Sequence, residues 1–256
     1  MAIDITQAES ITAAFDAARP EIVVLTAALA DIERCQREQQ LAEIINHTGP
    51  LHVAHACRRH GARLLFTSTD AVFDGTKGFY REDEPPTPLN FYGETKARAE
   101  ASVLDTLPSA AVVRLSLVLG RSLTPGTNSF LDKFASTLAA GHSTLAPTFE
   151  FRNPIDIATL CELLLELAVA PQASGRFHIG STDKLSRFDL SQRLAAALGF
   201  DPALVFPQHE PTPGRTPRGL DDFLSTERTR QICQTPLPSC REVIERAVRP
   251  LTPEWE

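Results

Sequence analysis

Short apolar runs alternating with longer stretches of helical periodicity constrain this chain more than anything else in it. The runs Ile22–Ala27, Arg63–Thr67 and Ala110–Leu115 are mostly apolar, and Arg176–Ile179 reads as a further short strand. A strand that reads as continuously apolar is buried on both faces, and the helices between such strands supply the cover, so the pattern implies an α/β protein with a parallel sheet. The intervening spacing predicts helices over Glu9–Arg19, stopped by Pro20, over Leu41–His60, ended by Gly61, and over Tyr92–Leu107. After Gly120 the rhythm changes: Phe130–Ala140, Ile155–Ala170 and Ser186–Leu198 read as helices, and residues 207–218 are rich in proline and polar side chains.

The second strand runs into hydroxyls. Leu64-Leu65-Phe66-Thr67-Ser68-Thr69-Asp70-Ala71-Val72-Phe73-Asp74-Gly75 is followed by the acidic, proline-rich Glu82-Asp83-Glu84-Pro85-Pro86-Thr87-Pro88 and then by Tyr92-Gly93-Glu94-Thr95-Lys96. Residues at i and i+4 share a helical face, so the spacing places the Lys96 ammonium beside the Tyr92 phenol, where a cation favours the phenolate. A phenol of ordinary pKa about 10 is a poor proton shuttle at neutral pH, and such a neighbour moves it toward the useful range.

These three separated elements, in this order, resemble the extended short-chain dehydrogenase/reductases, and most closely their dTDP-4-dehydrorhamnose reductase branch. The resemblance continues through Ala27-Ala28-Leu29, through Asn46, through Asn153-Pro154-Ile155-Asp156-Ile157, and through Gly175-Arg176-Phe177-His178-Ile179-Gly180 with Leu185-Ser186-Arg187-Phe188-Asp189-Leu190. It implies a Rossmann-like doubly wound parallel sheet with a small interleaved substrate lobe. Residues 1–120 would form the dinucleotide-binding domain and residues 121–256 mainly the substrate lobe. It also implies NADPH- or NADH-dependent reduction of a 4-keto-deoxy sugar nucleotide. Thr69 would donate to the developing alkoxide, Tyr92 would supply the proton, and Lys96 would tune Tyr92 and bind the nicotinamide ribose. Ala27, Ala28 and Leu29 would flank the cofactor, while Asp70 and Asn153 would face the substrate. Arg215 and Arg218 would clamp its diphosphate, because a guanidinium fork matches phosphate oxygens.

Two departures from the family pattern bear on function. Ala71 stands where the branch usually carries Tyr, which removes an aromatic wall near the sugar. The family opens with a strand, a Gly-rich turn and a helix that receives the cofactor pyrophosphate, yet the first glycine here is Gly49 and residues 1–6 resemble the end of the family's third strand. The sheet is therefore expected to be N-terminally truncated by a βαβ unit, and dinucleotide binding by these residues alone is expected to be weak. Beside the reductase reading stand two alternatives: a non-catalytic, reductase-like subunit or remnant that binds a partner or a nucleotide sugar without a dinucleotide, and a chain whose true start lies upstream. In the truncated sheet Ile22-Val23-Val24-Leu25 becomes an apolar edge, so a homo-oligomer or a completing partner chain is expected.

Composition narrows the remaining classes. The chain has 256 residues, 43% of them hydrophobic, and a formal charge of −7 with scattered basic residues, which argues against nucleic acid as a partner. No apolar stretch reaches the ~20 residues that span a bilayer, and no leader precedes the first helix, so a cytoplasmic location is expected. Five cysteines form no C-x-x-C pair and read as reduced thiols. His52, His55, Cys57 and His60 lack an acidic partner at metal-ligand spacing, so no metal is expected.

Overall fold

The computed structural model describes residues 2–122 and 129–249; Met1, within the stretch compared above with the end of a family strand, lies outside them. The chain order is α1 (Ala8–Ala18), β1 (Ile22–Leu25), α2 (Ile32–Arg37), α3 (Gln39–Glu43), α4 (Gly49–His60), β2 (Arg63–Thr69), α5 (Phe91–Thr106), β3 (Ala111–Leu115) and β4 (Val118–Leu119). There follow α6 (Phe130–Ala139), β5 (Thr144–Pro147), β6 (Phe151–Arg152), β7 (Ile155–Asp156), α7 (Ile157–Val169), β8 (Gly175–Ile179), β9 (Leu185–Ser186), α8 (Arg187–Ala197), β10 (Val205–Gln208), α9 (Glu227–Ile232) and α10 (Cys240–Ala247).

The main sheet has the order β1-β2-β3-β8 and every pair in it is parallel. Side chains alternate across it as the pleat requires. Leu25, Leu64, Phe66 and Val112 pack with Ile11, Phe15, Val53 and Val103 on one face, while Leu65, Val113 and Phe177 pack with Leu160, Leu163 and Leu167 on the other. A separate core forms where Leu131, Phe134 and Leu138 meet Leu190, Leu194, Val243 and Ile244. Strand β8, late in the sequence, returns to the main sheet.

One expected helix is interrupted. Within Leu41–His60 the backbone widens to a π turn over Ile44–Thr48 before α4 begins. Pro50 has no N–H to give to the carbonyl four residues back, so regular hydrogen bonding cannot run through this point. The widened turn directs Asn46 inward, where it is fully buried.

Strand β1 has β2 as its one sheet neighbour among the described residues. Ile22 and Val24 are 39% and 43% exposed on this edge. The expected apolar edge is thus a feature of the fold.

A buried ionic row crosses the sheet. Ser68, Arg114 and His178 are register partners on β2, β3 and β8, and Glu100 of α5 lies against them with no exposed surface. Glu100 accepts from Ser68 Oγ at 2.6 Å, from Arg114 Nε at 2.9 Å and Nη2 at 2.7 Å, and from Arg176 Nε at 2.9 Å. Burial opposes its charge, but these donors hold its pKa below the ordinary carboxylate range. Burial and the Arg114 charge push His178 down to about 3. The neutral ring takes its Nδ1 proton to the Ser225 carbonyl at 3.1 Å and offers Nε2 to Arg114 at 3.3 Å.

Removing one member of such a network strands the others in the core. Glu100→Ala is expected to lower the unfolding free energy by about 3–5 kcal/mol, because Arg114 keeps its charge without a counter-ion. Denaturant titration measures this, and a loss under about 1 kcal/mol would contradict it.

Candidate active site

A cleft of about 440 Å³ opens at the carboxyl ends of the parallel strands, lined by residues from 26–32, 67–73 and 115–118, by Tyr92 and Lys96, and by the arginine-rich segments of the second half. Parallel sheets place ligands at that end, where successive loops diverge. The packing of α5 decides the geometry. Asn90 caps the helix by accepting from Gly93 N at 2.9 Å. At Gly93 a Cβ would lie 2.0 Å from the Ala71 carbonyl, so only glycine lets the first turn of α5 approach the end of β2.

Thr69, Tyr92 and Lys96 all line this cleft. Thr69 Oγ1 caps the following 3₁₀ turn, accepting from Ala71 N at 3.1 Å, and lies 3.2 Å from Asp70 Oδ1. The electrostatics of Tyr92 and Lys96 differ from the expectation drawn from their spacing. Burial pushes the Tyr92 phenol above its ordinary value, only partly offset by Thr69. Lys96 does not point its ammonium at the phenol: Nζ donates to the Thr67 carbonyl at 2.8 Å and sits 4.0 Å from the centre of the Phe66 ring. Burial brings Lys96 down to about 7, with Glu100 one turn further along α5 favouring the charged form.

Asp70 is buried beside the cleft. Its Oδ2 accepts from Ser116 Oγ at 3.1 Å and lies 3.6 Å from Arg152 Nε. Arg152 reaches Asp222 on its other side at 2.8 Å. Burial pushes Asp222 up to about 8, with Arg152 opposing and Asp70 reinforcing the shift. Arg215 and Arg218 reach the cleft already paired, Arg215 with Glu150 at 2.6 Å and Arg218 with Glu33 at 3.1 Å. Arg187 lies over the Phe130 ring at 4.2 Å.

Asn153 belongs elsewhere. It is fully buried, donates to the Ser181 and Leu224 carbonyls and accepts from Leu224 N, so its amide is spent on joining two chain segments and does not line the cleft. Among the three expected cofactor-flanking residues, Ala28 lines the cleft, together with Thr26 and Ala30. Leu29 is held through its backbone: its N–H donates to Asn46 Oδ1 at 2.8 Å and its carbonyl accepts from Asn46 Nδ2 at 3.0 Å. Ala27, exposed, follows β1 between Thr26 and Ala28 and is not among the residues lining the cleft. Sequence reasoning missed Ser116, Glu150, Arg152 and Asp222. Their signal was weak, since each is a lone polar residue in a loop or short strand brought in from far along the chain. No group of three or more His, Cys, Asp or Glu among the described residues could hold a metal ion.

A parallel α/β sheet with Thr, Tyr and Lys at its carboxyl end defines a protein of the short-chain dehydrogenase/reductase class. Within it the chain belongs to the family described as RmlD substrate binding domain, which matches residues 1–252. It is 35% identical over 211 residues to a dTDP-4-dehydrorhamnose reductase of Streptomyces griseus, covering 80% of this chain and 68% of that one. It is 32% identical over 235 residues to the enzyme of the same name from Mycobacterium tuberculosis, covering 89% and 76%. The crystal structure of dTDP-4-dehydrorhamnose reductase from Bacillus anthracis in complex with NADP superposes with a TM-score of 0.89 at 25% identity, covering 96% of this chain and 86% of that one.

The buried ammonium gives a pH test. The folded-state pKa of Lys96 lies near 7, below its ordinary 10.5. Below about pH 7 both states hold the proton and the native state bears the whole desolvation penalty; between those values the folded chain has released it and the unfolded chain has not, so this contribution to stability improves as pH rises. The stability gap between Lys96→Met and the parent chain is therefore expected to shift in the parent's favour between pH 7 and 10. A gap independent of pH would contradict the burial of a titrating amine.

Proposed function

We propose that this chain is the reductase part of an NAD(P)H-dependent enzyme acting on a 4-keto-deoxy sugar nucleotide. The convergence of Thr69, Tyr92 and Lys96 on one cleft is the observation that carries the reading. Support also comes from the shared names of the Streptomyces griseus and Mycobacterium tuberculosis relatives. Residues 1–120 would serve the dinucleotide and residues 121–256 mainly the substrate, in a cytoplasmic enzyme. No helix among the described residues is long and apolar enough to cross a membrane.

The residues present fit one end of a dinucleotide. Thr26, Ala28 and Ala30 leave room beside Tyr92 and Lys96 for a flat ring and its ribose. A Gly-rich turn opening a helix, which would cradle the pyrophosphate, is not found among the described residues. NAD(P)H, when bound, supplies hydride to the ketone carbon. As the carbonyl π pair moves onto oxygen, Tyr92 Oη gives that oxygen its proton and becomes phenolate. The Lys96 ammonium, held between the Thr67 carbonyl and the Phe66 ring, would meet the nicotinamide ribose. Arg215 and Arg218 would exchange Glu150 and Glu33 for the diphosphate oxygens of the substrate.

The bare edge of β1 completes the reading: its unpaired peptide groups and exposed Ile22 and Val24 suit either a second copy or a polypeptide that extends the sheet.

Two outcomes test this. Tyr92→Phe, assayed for NADPH oxidation with a 4-keto-6-deoxy sugar nucleotide and any completing chain, is expected to lose at least ~10²-fold in turnover while unfolding like the parent. Near-normal turnover would remove Tyr92 from the chemistry. In sedimentation the purified chain is expected to self-associate at micromolar concentration unless a completing chain is supplied, and a stable monomer would show that the edge needs no partner.

A further inference from the structure

The hydrogen-bond capacity of Thr69 raises a conflict that the reductase reading leaves open. A hydroxyl has one proton and two lone pairs. Thr69 Oγ1 meets two protein groups: Ala71 N–H, which can only donate, and Asp70 Oδ1. If Asp70 is a carboxylate, it can only accept, and Thr69 must spend its single proton on Asp70. The proton that Thr69 needs for the ketone oxygen would be turned away from it.

The conflict disappears if Asp70 carries a proton on Oδ1. Asp70 then donates to Thr69, whose lone pairs are filled by Asp70 and Ala71, and the Thr69 proton is free to point at the substrate.

The surroundings of Asp70 fit this arrangement. Its two oxygens are unequal: Oδ2 faces the donors Ser116 Oγ at 3.1 Å and Arg152 Nε at 3.6 Å, whereas Oδ1 faces Thr69. The oxygen with the donors is the one that stays a carbonyl; the other is the one that bears hydrogen. One cation, Arg152, lies between the carboxyls of Asp70 and Asp222, and it is nearer Asp222, at 2.8 Å. Arg152 is thus one cation shared between two buried carboxyls, and the other oxygen of Asp222 is buried with no hydrogen-bond partner. Tyr92 also interacts with Asp70, and it adds no positive charge. Burial accordingly pushes the Asp70 carboxyl above its ordinary value, with Arg152 opposing only in part.

We propose that Asp70 is a positioning residue that works as a neutral acid, donating to Thr69 Oγ1 and so turning the Thr69 proton toward the carbonyl oxygen being reduced. Asp70 itself exchanges no proton with the substrate in this scheme.

The inference rests on the reductase reading, and its test is chosen to separate the two. An asparagine amide reproduces the neutral acid: its NH₂ donates where Oδ1–H would, and its oxygen accepts from Ser116 and Arg152. Asp70→Asn is expected to keep turnover within about tenfold of the parent, while Asp70→Ala loses at least about 10²-fold, and the alkaline fall in turnover is expected to move up by a pH unit or more in Asp70→Asn. The infrared spectrum is expected to show a protonated-carboxyl stretch at neutral pH that Asp70→Asn removes and Asp222→Asn does not. If Asp70→Asn is as impaired as Asp70→Ala at every pH, or if no such band is assigned to Asp70, the residue acts as an anion and the proposal is overturned. Should the parent chain reduce no sugar nucleotide under any condition, the reductase reading fails and the infrared band alone decides the protonation of Asp70.

Discussion

The buried pairing of Glu100 with Arg114 is the constraint on which the rest of this structure depends. Helix α5 carries both Tyr92 and Lys96, and its placement on the sheet is fixed by one carboxylate that three elements of the fold must satisfy together. Ser68, Arg114 and Arg176 come from three parallel strands, and all of them hydrogen-bond Glu100. A rotation or slide of α5 would strand two guanidinium groups, one of them wholly buried. Apolar packing alone tolerates such slides at modest cost; a multiply bonded buried charge does not. Ser68 immediately precedes Thr69, so the row that anchors the helix also fixes the end of the strand that presents the hydroxyl.

The polar groups of the cleft are already matched with one another before any ligand arrives. Arg215 holds Glu150, Arg218 holds Glu33, and Arg152 lies between Asp70 and Asp222. The Glu33 contact joins two distant parts of the chain, because α2 follows β1 whereas Arg218 sits on a loop of the second half. Thr216, which donates to the same carboxylate at 2.5 Å, strengthens the link. A ligand that drew Arg218 away from Glu33 would release this contact between the two parts of the cleft.

Much of this was legible in the sequence. The four strands, the helix bearing Tyr92 and Lys96, the hydroxyls at the end of β2 and the apolar edge at Ile22–Leu25 are local properties of the chain, written in periodicity and in adjacent residues. What could not be read depended on partners distant in sequence. Arg114 looked like one polar residue within an apolar strand, and only its neighbours Glu100 and His178 show it to be the centre of a network. The Tyr92–Lys96 spacing correctly placed two side chains on one helix, but spacing says nothing of the Thr67 carbonyl that draws the ammonium aside. Asn153 lies in a segment that resembles its family, yet its amide is consumed by Ser181 and Leu224. The π turn at Ile44–Thr48 was hidden because the apolar periodicity of a helix survives a single widened turn, although Gly49-Pro50 marks the place.

The central claim is that this cleft directs hydride to a sugar ketone, and isotope transfer tests it most directly. The chain, with any completing polypeptide, is incubated with a 4-keto-6-deoxy sugar nucleotide and NADPH carrying deuterium on the transferable position of the nicotinamide. The account predicts a product with deuterium at the sugar carbon that bore the ketone, seen by NMR as loss of that carbon's proton signal relative to the unlabelled reaction. A product without deuterium there, or no product at all when the cofactor is shown to be bound, would contradict it.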